Sequence, residues 1–260
     1  MSVLTPRIRP SAAASVNPLT KVFVALLLTF ALVLTIDVVS AGVALAFVLL
    51  LLPWCGLTPR ELAIRTLPVT TSAGLAAITT ALYGVDSGAT LVALGPVTVS
   101  EGSLALAVAI ALRVLAIGIP GVVLFATTDP TDLADSLGQL LRLPARFVLG
   151  ALAGLRLVGL LIDDWRAIEF ARRARGVGDR ARIRRFLGQA FAVLVIAIRR
   201  GSKLATAMEA RGFGAPERRT WARVSRLGPP DAVLALLGIV VTAVAVGAAV
   251  WAGTWRFIGG

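Results

Sequence analysis

The 260-residue chain contains no histidine and a single cysteine, Cys55. Without histidine it lacks the usual general base, the usual base of a nucleophilic triad and the commonest metal ligand. One cysteine excludes an internal disulfide and any cysteine-based metal cluster. Charge is scarce as well. Asp, Glu, Lys and Arg make up 15% of the residues, against roughly 25% in ordinary soluble domains. A Gly-x-x-x-x-Gly-Lys-Ser/Thr phosphate loop is also missing, so ATP handling is not expected of this chain. No catalytic or metal-binding residues are expected in it.

What is present is apolar. Hydrophobic residues account for 57% of the chain and the mean hydropathy is +0.88, which points to an integral membrane protein. Arg7, Arg9 and Lys21 precede the first apolar run, as in a signal sequence. More spans follow and no small-x-small cleavage site is evident, so a first transmembrane helix is expected. Residues 22–36 and 41–53 are expected to form two short or tilted spans joined at IDVVS. The alternative, one helix across both, would be too long for a hydrocarbon core of about 30 Å. Further spans are predicted near 66–83, 103–125 and 231–252, the third of the five being rich in small residues suited to close helix contact.

Charge placement sets the expected topology. Residues 126–229 hold 19 Lys and Arg against 9 Asp and Glu, which is +10 of the net +12. With the N-terminus inside, five spans leave all but two of the 26 basic residues on the cytoplasmic side. The exceptions are Arg113, within a span, and Arg256, in the tail. That is the positive-inside pattern. The sequence therefore divides into N-terminal membrane helices (1–125), a basic cytoplasmic region (126–229) and a C-terminal membrane helix (230–260).

Within the basic region, Asp129-Pro130 opens a short helix that Pro144 is expected to stop. Two long helices follow, about 145–175 and 183–211. The regular charges of the first predict an amphipathic helix at the membrane interface. Both finish on the same pattern: Ala171, Ala174, Arg175 and Gly176 match Ala207, Ala210, Arg211 and Gly212. The alanines and the arginine fall at i, i+3 and i+4, on one face. A methyl-sized face lets a partner approach closely, the arginine offers a five-donor fork for carboxylates or carbonyls, and the glycine supplies a left-handed cap. Ordinary helix capping explains one such ending, by a few tenths to about one kcal/mol. Two in matching register suggest protein docking.

These endings, with NPLTK at 17–21, the VTVSEG…ALR stretch from 97 to 113 and DP…LADSL…LRLP at 129–144, resemble the T component of energy-coupling factor transporters. That family includes the CbiQ- and BioN-type permeases. The resemblance implies an all-α integral membrane protein of about five transmembrane helices plus long cytoplasmic coupling helices, in the cell membrane of a prokaryote. It implies two cassette ATPases of the EcfA/CbiO kind, each receiving one Ala-Arg-Gly end, and a separate membrane S component that binds a vitamin or a transition metal. On that reading Arg175 and Arg211 bridge to acidic groups of the ATPases. ATP and Mg belong to those partners, and this chain binds no cofactor.

Other features read more plainly. Arg113, costly inside a span if unpaired, is expected to face the bundle interior or pair with Asp37 or Asp86 in a structural role. Pro120, between Gly118 and Gly121, is expected to kink its span. DRARIRR (179–185) suits anionic lipid at the inner leaflet. No nucleic-acid role is expected, because recognition motifs and aromatic platforms are missing. A self-contained secondary transporter would need polar groups converging on broken, repeated helices, and the sequence offers little beyond Arg113. A non-transporting membrane scaffold is the remaining rival.

Overall fold

The computed structural model describes residues 12–35, 37–84, 87–94, 97–176, 182–214 and 220–254. Arg7, Arg9, Asp86, Arg256 and the first three residues of DRARIRR lie outside the described residues. The described chain divides into two compact units. One is built from residues up to Leu133 and from Arg226 onward, and the other from Ala134–Ser225.

The first unit holds α1 (Pro18–Val33), α2 (Val38–Leu51), α3 (Pro59–Tyr83), a hairpin of β1 (Thr90–Leu94) and β2 (Val97–Ser100), α4 (Glu101–Thr127) and α8 (Pro229–Trp251). Asn17 caps α1 by accepting the Leu19 N–H, and Pro18 fills the first helical position, where a missing N–H costs nothing. Asp37 caps α2 by accepting the Ser40 N–H at 2.6 Å. Leu28 and Leu32 of α1, Ala44 and Leu45 of α2, Ala116 and Ile119 of α4, and Val241 and Ala245 of α8 form one buried core. Small residues set the helix spacing. A Cβ at Gly118 would sit 2.4 Å from a methyl of Val69, and one at Gly238 would sit 2.7 Å from a methyl of Val24, so α4 meets α3, and α8 meets α1, almost backbone to side chain.

Five helical stretches are long and apolar enough to cross a membrane: Val38–Cys55, α3, α4, Ala145–Ala174 and α8. Four of them overlap expected spans. The expected first span is shorter than the others. The 16 residues of α1 reach only about 24 Å at 1.5 Å each, under the hydrocarbon thickness. Residues Ala145–Ala174 take the fifth place by length and composition alone, within the basic region expected on the cytoplasmic side. Phe147, Leu155, Leu160 and Ile162 are all exposed there, and at 100° per residue they point in different directions. The charges Asp163, Asp164, Arg166, Glu169, Arg172 and Arg173 follow further along. Arg146 and Arg156 interrupt the first half as well, so charge runs the length of this helix and is densest towards its C-terminus.

The third span also starts earlier than position 66. Thr58 and Glu61 form a reciprocal capping box, Thr58 Oγ1 accepting the Glu61 N–H at 3.3 Å and Glu61 Oε2 accepting the Thr58 N–H at 3.2 Å. Along this Thr-rich helix the hydroxyls of Thr66, Thr71 and Thr79 donate to carbonyls one turn back. That satisfies polar side chains without a partner helix. The uncharged segment before α4 folds into the antiparallel hairpin, Thr90 opposite Ser100 and Leu94 opposite Val97. Helix α4 continues through Pro120 to Thr127.

The second unit contains the end of α5 (Pro130–Gln139) and the two long helices α6 (Ala145–Ala174) and α7 (Arg182–Ala210). Helix α5 ends at Gln139, ahead of Pro144. Its Gln139 side chain donates to the Arg223 carbonyl at 2.7 Å and accepts the Ser225 N–H at 2.9 Å. Trp221 closes over Gly138, where a Cβ would lie 2.6 Å from the indole ring.

Candidate docking ends and the helix pair that carries them

Helices α6 and α7 run antiparallel. Near the C-terminus of α6, Glu169 accepts from Arg173 of its own helix at 2.6 Å and from Arg185 of α7 at 3.2 Å. One turn earlier, Gln189 of α7, 2% exposed, donates to the Trp165 carbonyl at 2.8 Å. The Trp165 and Phe186 rings meet at 5.5 Å beside it. Arg200 of α7 reaches Asp164 with both terminal nitrogens at 2.9 Å. Beyond that point the first half of α6 and the last half of α7 flank an open groove of about 1240 Å³. The N-terminus of each helix therefore lies beside the C-terminus of the other.

The two repeated endings consequently sit at opposite ends of the pair. At about 1.5 Å per residue, the 29 residues of α7 alone measure roughly 43 Å. Both endings have the geometry the glycines foretell. Gly176 takes φ +67 and donates to the Arg173 carbonyl at 3.0 Å. Gly212 takes φ +76 and donates to Glu209 at 2.9 Å, while Phe213 donates to Met208 at 2.9 Å. The latter two bonds complete a Schellman cap, with Phe213 and Met208 as its hydrophobic pair. Arg175 and Arg211 are the last residues before the left-handed turns.

Ala171, Ala174, Arg175 and Gly176 are exposed, as are Ala207, Ala210, Arg211 and Gly212. Among the described residues neither Arg175 nor Arg211 enters an ion pair, whereas Arg166, Arg173, Arg185 and Arg200 all do. The helix-holding arginines and the terminal arginines are thus separate sets. Asp163 and Glu169 pair with the neighbouring Arg166 and Arg173 of their own helix, as the spacing of these charges leads one to expect. The links of Glu169 to Arg185 and of Asp164 to Arg200 span 16 and 36 residues and are not visible in local spacing.

The remaining singled-out residues lie in the first unit. Among the described residues the buried Nε and Nη2 of Arg113 have no hydrogen-bond partner, and Asp37 is the acidic group whose charge acts on it. Pro120 lines an apolar cavity of about 480 Å³ together with Lys21 and Cys55. Lys21 Nζ donates to the Thr127 carbonyl at 3.0 Å. No cluster of three or more potential metal ligands occurs among the described residues.

The family model described as CbiQ, cobalt transport protein, matches residues 11–221. The energy-coupling factor transporter transmembrane protein EcfT of Limosilactobacillus fermentum is 29% identical over 160 residues, 57% of this chain and 60% of the relative. The EcfT of Exiguobacterium sibiricum is 32% identical over 162 residues, 58% and 62% of the two chains. A putative ABC transporter ATP-binding protein of Bifidobacterium longum is 29% identical over 174 residues, which are 62% of this chain but 22% of that one. The chain thus matches about three fifths of the length of the EcfT relatives. The matched segment of the family model takes in all of α1–α7 with both Ala-Arg-Gly ends, and on that ground this multi-pass membrane protein belongs to the CbiQ/EcfT family, the T components of energy-coupling factor transporters.

Proposed function

We propose that the chain is the non-catalytic coupling subunit of an ATP-driven importer, carrying motion from two cassette ATPases to a separate substrate-binding membrane protein. The observation that carries this reading is the pair of exposed, glycine-capped Ala-x-x-Ala-Arg-Gly ends at opposite ends of one braced antiparallel helix pair. Each end offers a small-residue face and a guanidinium with no ion-pair partner among the described residues, which suits an acidic groove on a partner. Two ends some 40 Å apart suit two partner subunits. The similarity to a longer chain named for ATP binding agrees with ATP being handled beside this sequence rather than by it.

The braces give the mechanism its mechanical part. When the two ATPases close on ATP, the docked ends move together, and the pairs Asp164–Arg200 and Glu169–Arg185 make α6 and α7 respond as one body. Helix α7 presents Ile183, Leu187, Phe191, Leu194 and Ile198, all exposed, along one face at helical spacing. That stripe is the seat we assign to the substrate-binding membrane partner, whose cargo is a vitamin or a transition metal such as cobalt. The test replaces Arg175 and Arg211 with Ala, singly and together, in cells expressing the whole transporter. Each single variant should lower uptake, and the double variant should release the ATPases on purification. A double variant that keeps both ATPases and imports normally would sink the proposal.

A further inference from the structure

We propose that Asn17 and Lys21, at the start of α1, are positioning residues that tie both chain segments connecting the two units to that helix, and so deliver motion of the coupling helices to the membrane helices. This inference rests on the coupling function proposed above. The chain leaves the first unit at Leu133–Ala134 and returns to it at Ser225–Arg226. Shortly before the outgoing crossing, Lys21 Nζ donates to the Thr127 carbonyl at 3.0 Å. At the returning crossing, Asn17 Nδ2 donates to the Arg226 carbonyl at 3.2 Å. Asp231 then accepts the Asn17 N–H and the Gly228 N–H, each at 2.7 Å, so the return segment is held at Arg226 and again at Gly228. All of these residues belong to the first unit.

Neither side chain is explained by the needs of α1 alone. The cap of that helix uses only Asn17 Oδ1, which accepts the Leu19 N–H, and a serine hydroxyl would serve as well. An amide adds a donor, and here the donor bonds a residue 209 positions away. Lys21 lies in the first turn of α1, where the helix dipole disfavours a cation. Its ammonium turns instead to Thr127, the last residue of α4, where an unpaired terminal carbonyl and the negative end of the dipole attract it. The outgoing crossing falls inside α5, which is continuous from Pro130 to Gln139. Within the second unit, Gln139 binds the Arg223 carbonyl and the Ser225 N–H. A helix thus carries one connection, and the end of that helix holds the other. Displacement of the two reaches α1 through Lys21 and Asn17, and without those ties the segments would swing while α1 stays still.

Two variants remove the ties and spare α1. Asn17→Ser keeps a capping hydroxyl but loses the amide donor, and Lys21→Met keeps an apolar stem without the ammonium. Import and ATP hydrolysis are measured together on the whole transporter in vesicles. Losing a hydrogen bond to a charged group shifts the balance of held and released states by about tenfold. Import per ATP hydrolysed should fall by roughly that factor in Lys21→Met and by less in Asn17→Ser, with hydrolysis and subunit content unchanged. Lys21→Arg, which still donates to Thr127, should restore the ratio. Hydrogen exchange on the full-length chain alone, in detergent, reads the ties without any partner. Amides of residues 128–133 should exchange faster in Lys21→Met, and those of 222–228 in Asn17→Ser. Unchanged exchange in both variants would overturn the proposal. An unchanged ratio would do so too, whether import and hydrolysis are normal or fall in proportion. Failure of the coupling function itself shows differently, as ATPases retained by the Arg175→Ala, Arg211→Ala double variant, whereas failure of the ties alone leaves that variant without ATPases and Lys21→Met with a normal ratio.

Discussion

Asp164 of α6 and Arg200 of α7 stand 36 positions apart in sequence and meet through two guanidinium nitrogens at 2.9 Å each. Both side chains are partly screened from solvent, so the pair ranks between an exposed bridge and a buried one. Arg200→Ala is expected to destabilise the α6–α7 pair by about 1–2 kcal/mol. A double-mutant cycle with Asp164→Ala, read by thermal unfolding, should show coupling between the two sites. Purely additive losses would mean that the pair contributes nothing beyond its parts. If the pair transmits motion, Arg200→Ala should also lower transport more than it lowers ATP hydrolysis by the complex, since the proposed function assigns hydrolysis to the partners.

The caps of the proposed docking ends make a separate prediction. At φ +67 and +76, Gly176 and Gly212 occupy the left-handed region, where a β-branched residue is strained by roughly 1–2 kcal/mol. Gly212→Val should unwind the last turn of α7 and turn Arg211 away from its docking direction. Gly212→Asn, which tolerates that region, should be mild. Retention of the ATPases on an affinity-tagged complex measures this, with Val weaker than Asn at both positions. An equal effect of Val and Asn would show that the turn geometry is irrelevant to docking.

These ends were legible in the sequence because a cap is local: alanine, arginine and glycine at fixed offsets dictate both the face and the stop. The limits of α7 and α8 were legible for the same reason, from Gly, Pro and polar residues at their ends. Helix α3 was partly missed, although Thr58, Pro59 and Glu61 spell out a capping box, because Arg60 and Arg65 outweighed it in a hydropathy reading. The β1–β2 hairpin carries no charge pattern and only weak alternation, so nothing in the sequence marked it as a pair of strands. The pairing of α6 with α7 was illegible, since Glu169 meets Arg185 and Trp165 meets Gln189 only once the two helices lie side by side.

The joint between the start of α1 and the start of α8 is another element that sequence left silent. Asp231 accepts the Asn17 N–H at 2.7 Å with one oxygen and the Gly228 N–H at 2.7 Å with the other. Asn17 Nδ2 in turn donates to the Arg226 carbonyl at 3.2 Å. Asp231 is buried, so its removal leaves two backbone donors without a partner. Asp231→Ala is expected to cost about 2–4 kcal/mol, the loss of two charge-assisted bonds. Asp231→Asn, which keeps one acceptor, should cost roughly half as much. Thermal unfolding in detergent ranks the two, and an Ala variant as stable as Asn would contradict the assignment.

Arg113 supplies the last test, because an intramembrane arginine is by default a candidate for function. Its Nε and Nη2 are buried without hydrogen-bond partners among the described residues, and the nearby Asp37 carboxylate is already engaged with the Ser40 N–H and hydroxyl. A guanidinium so placed contributes little to stability, and replacing such a buried ion with an apolar residue is often neutral or stabilising. Arg113→Leu should therefore leave thermal stability unchanged or raise it, by up to about 3 kcal/mol. Asp37→Ala should lower it by about 1–2 kcal/mol through loss of the α2 cap. Transport then decides the role of the arginine. Normal import by the stable Arg113→Leu protein is the outcome expected of a coupling subunit with no translocation residue of its own, and abolished import with intact assembly would favour a permease that moves its substrate past Arg113.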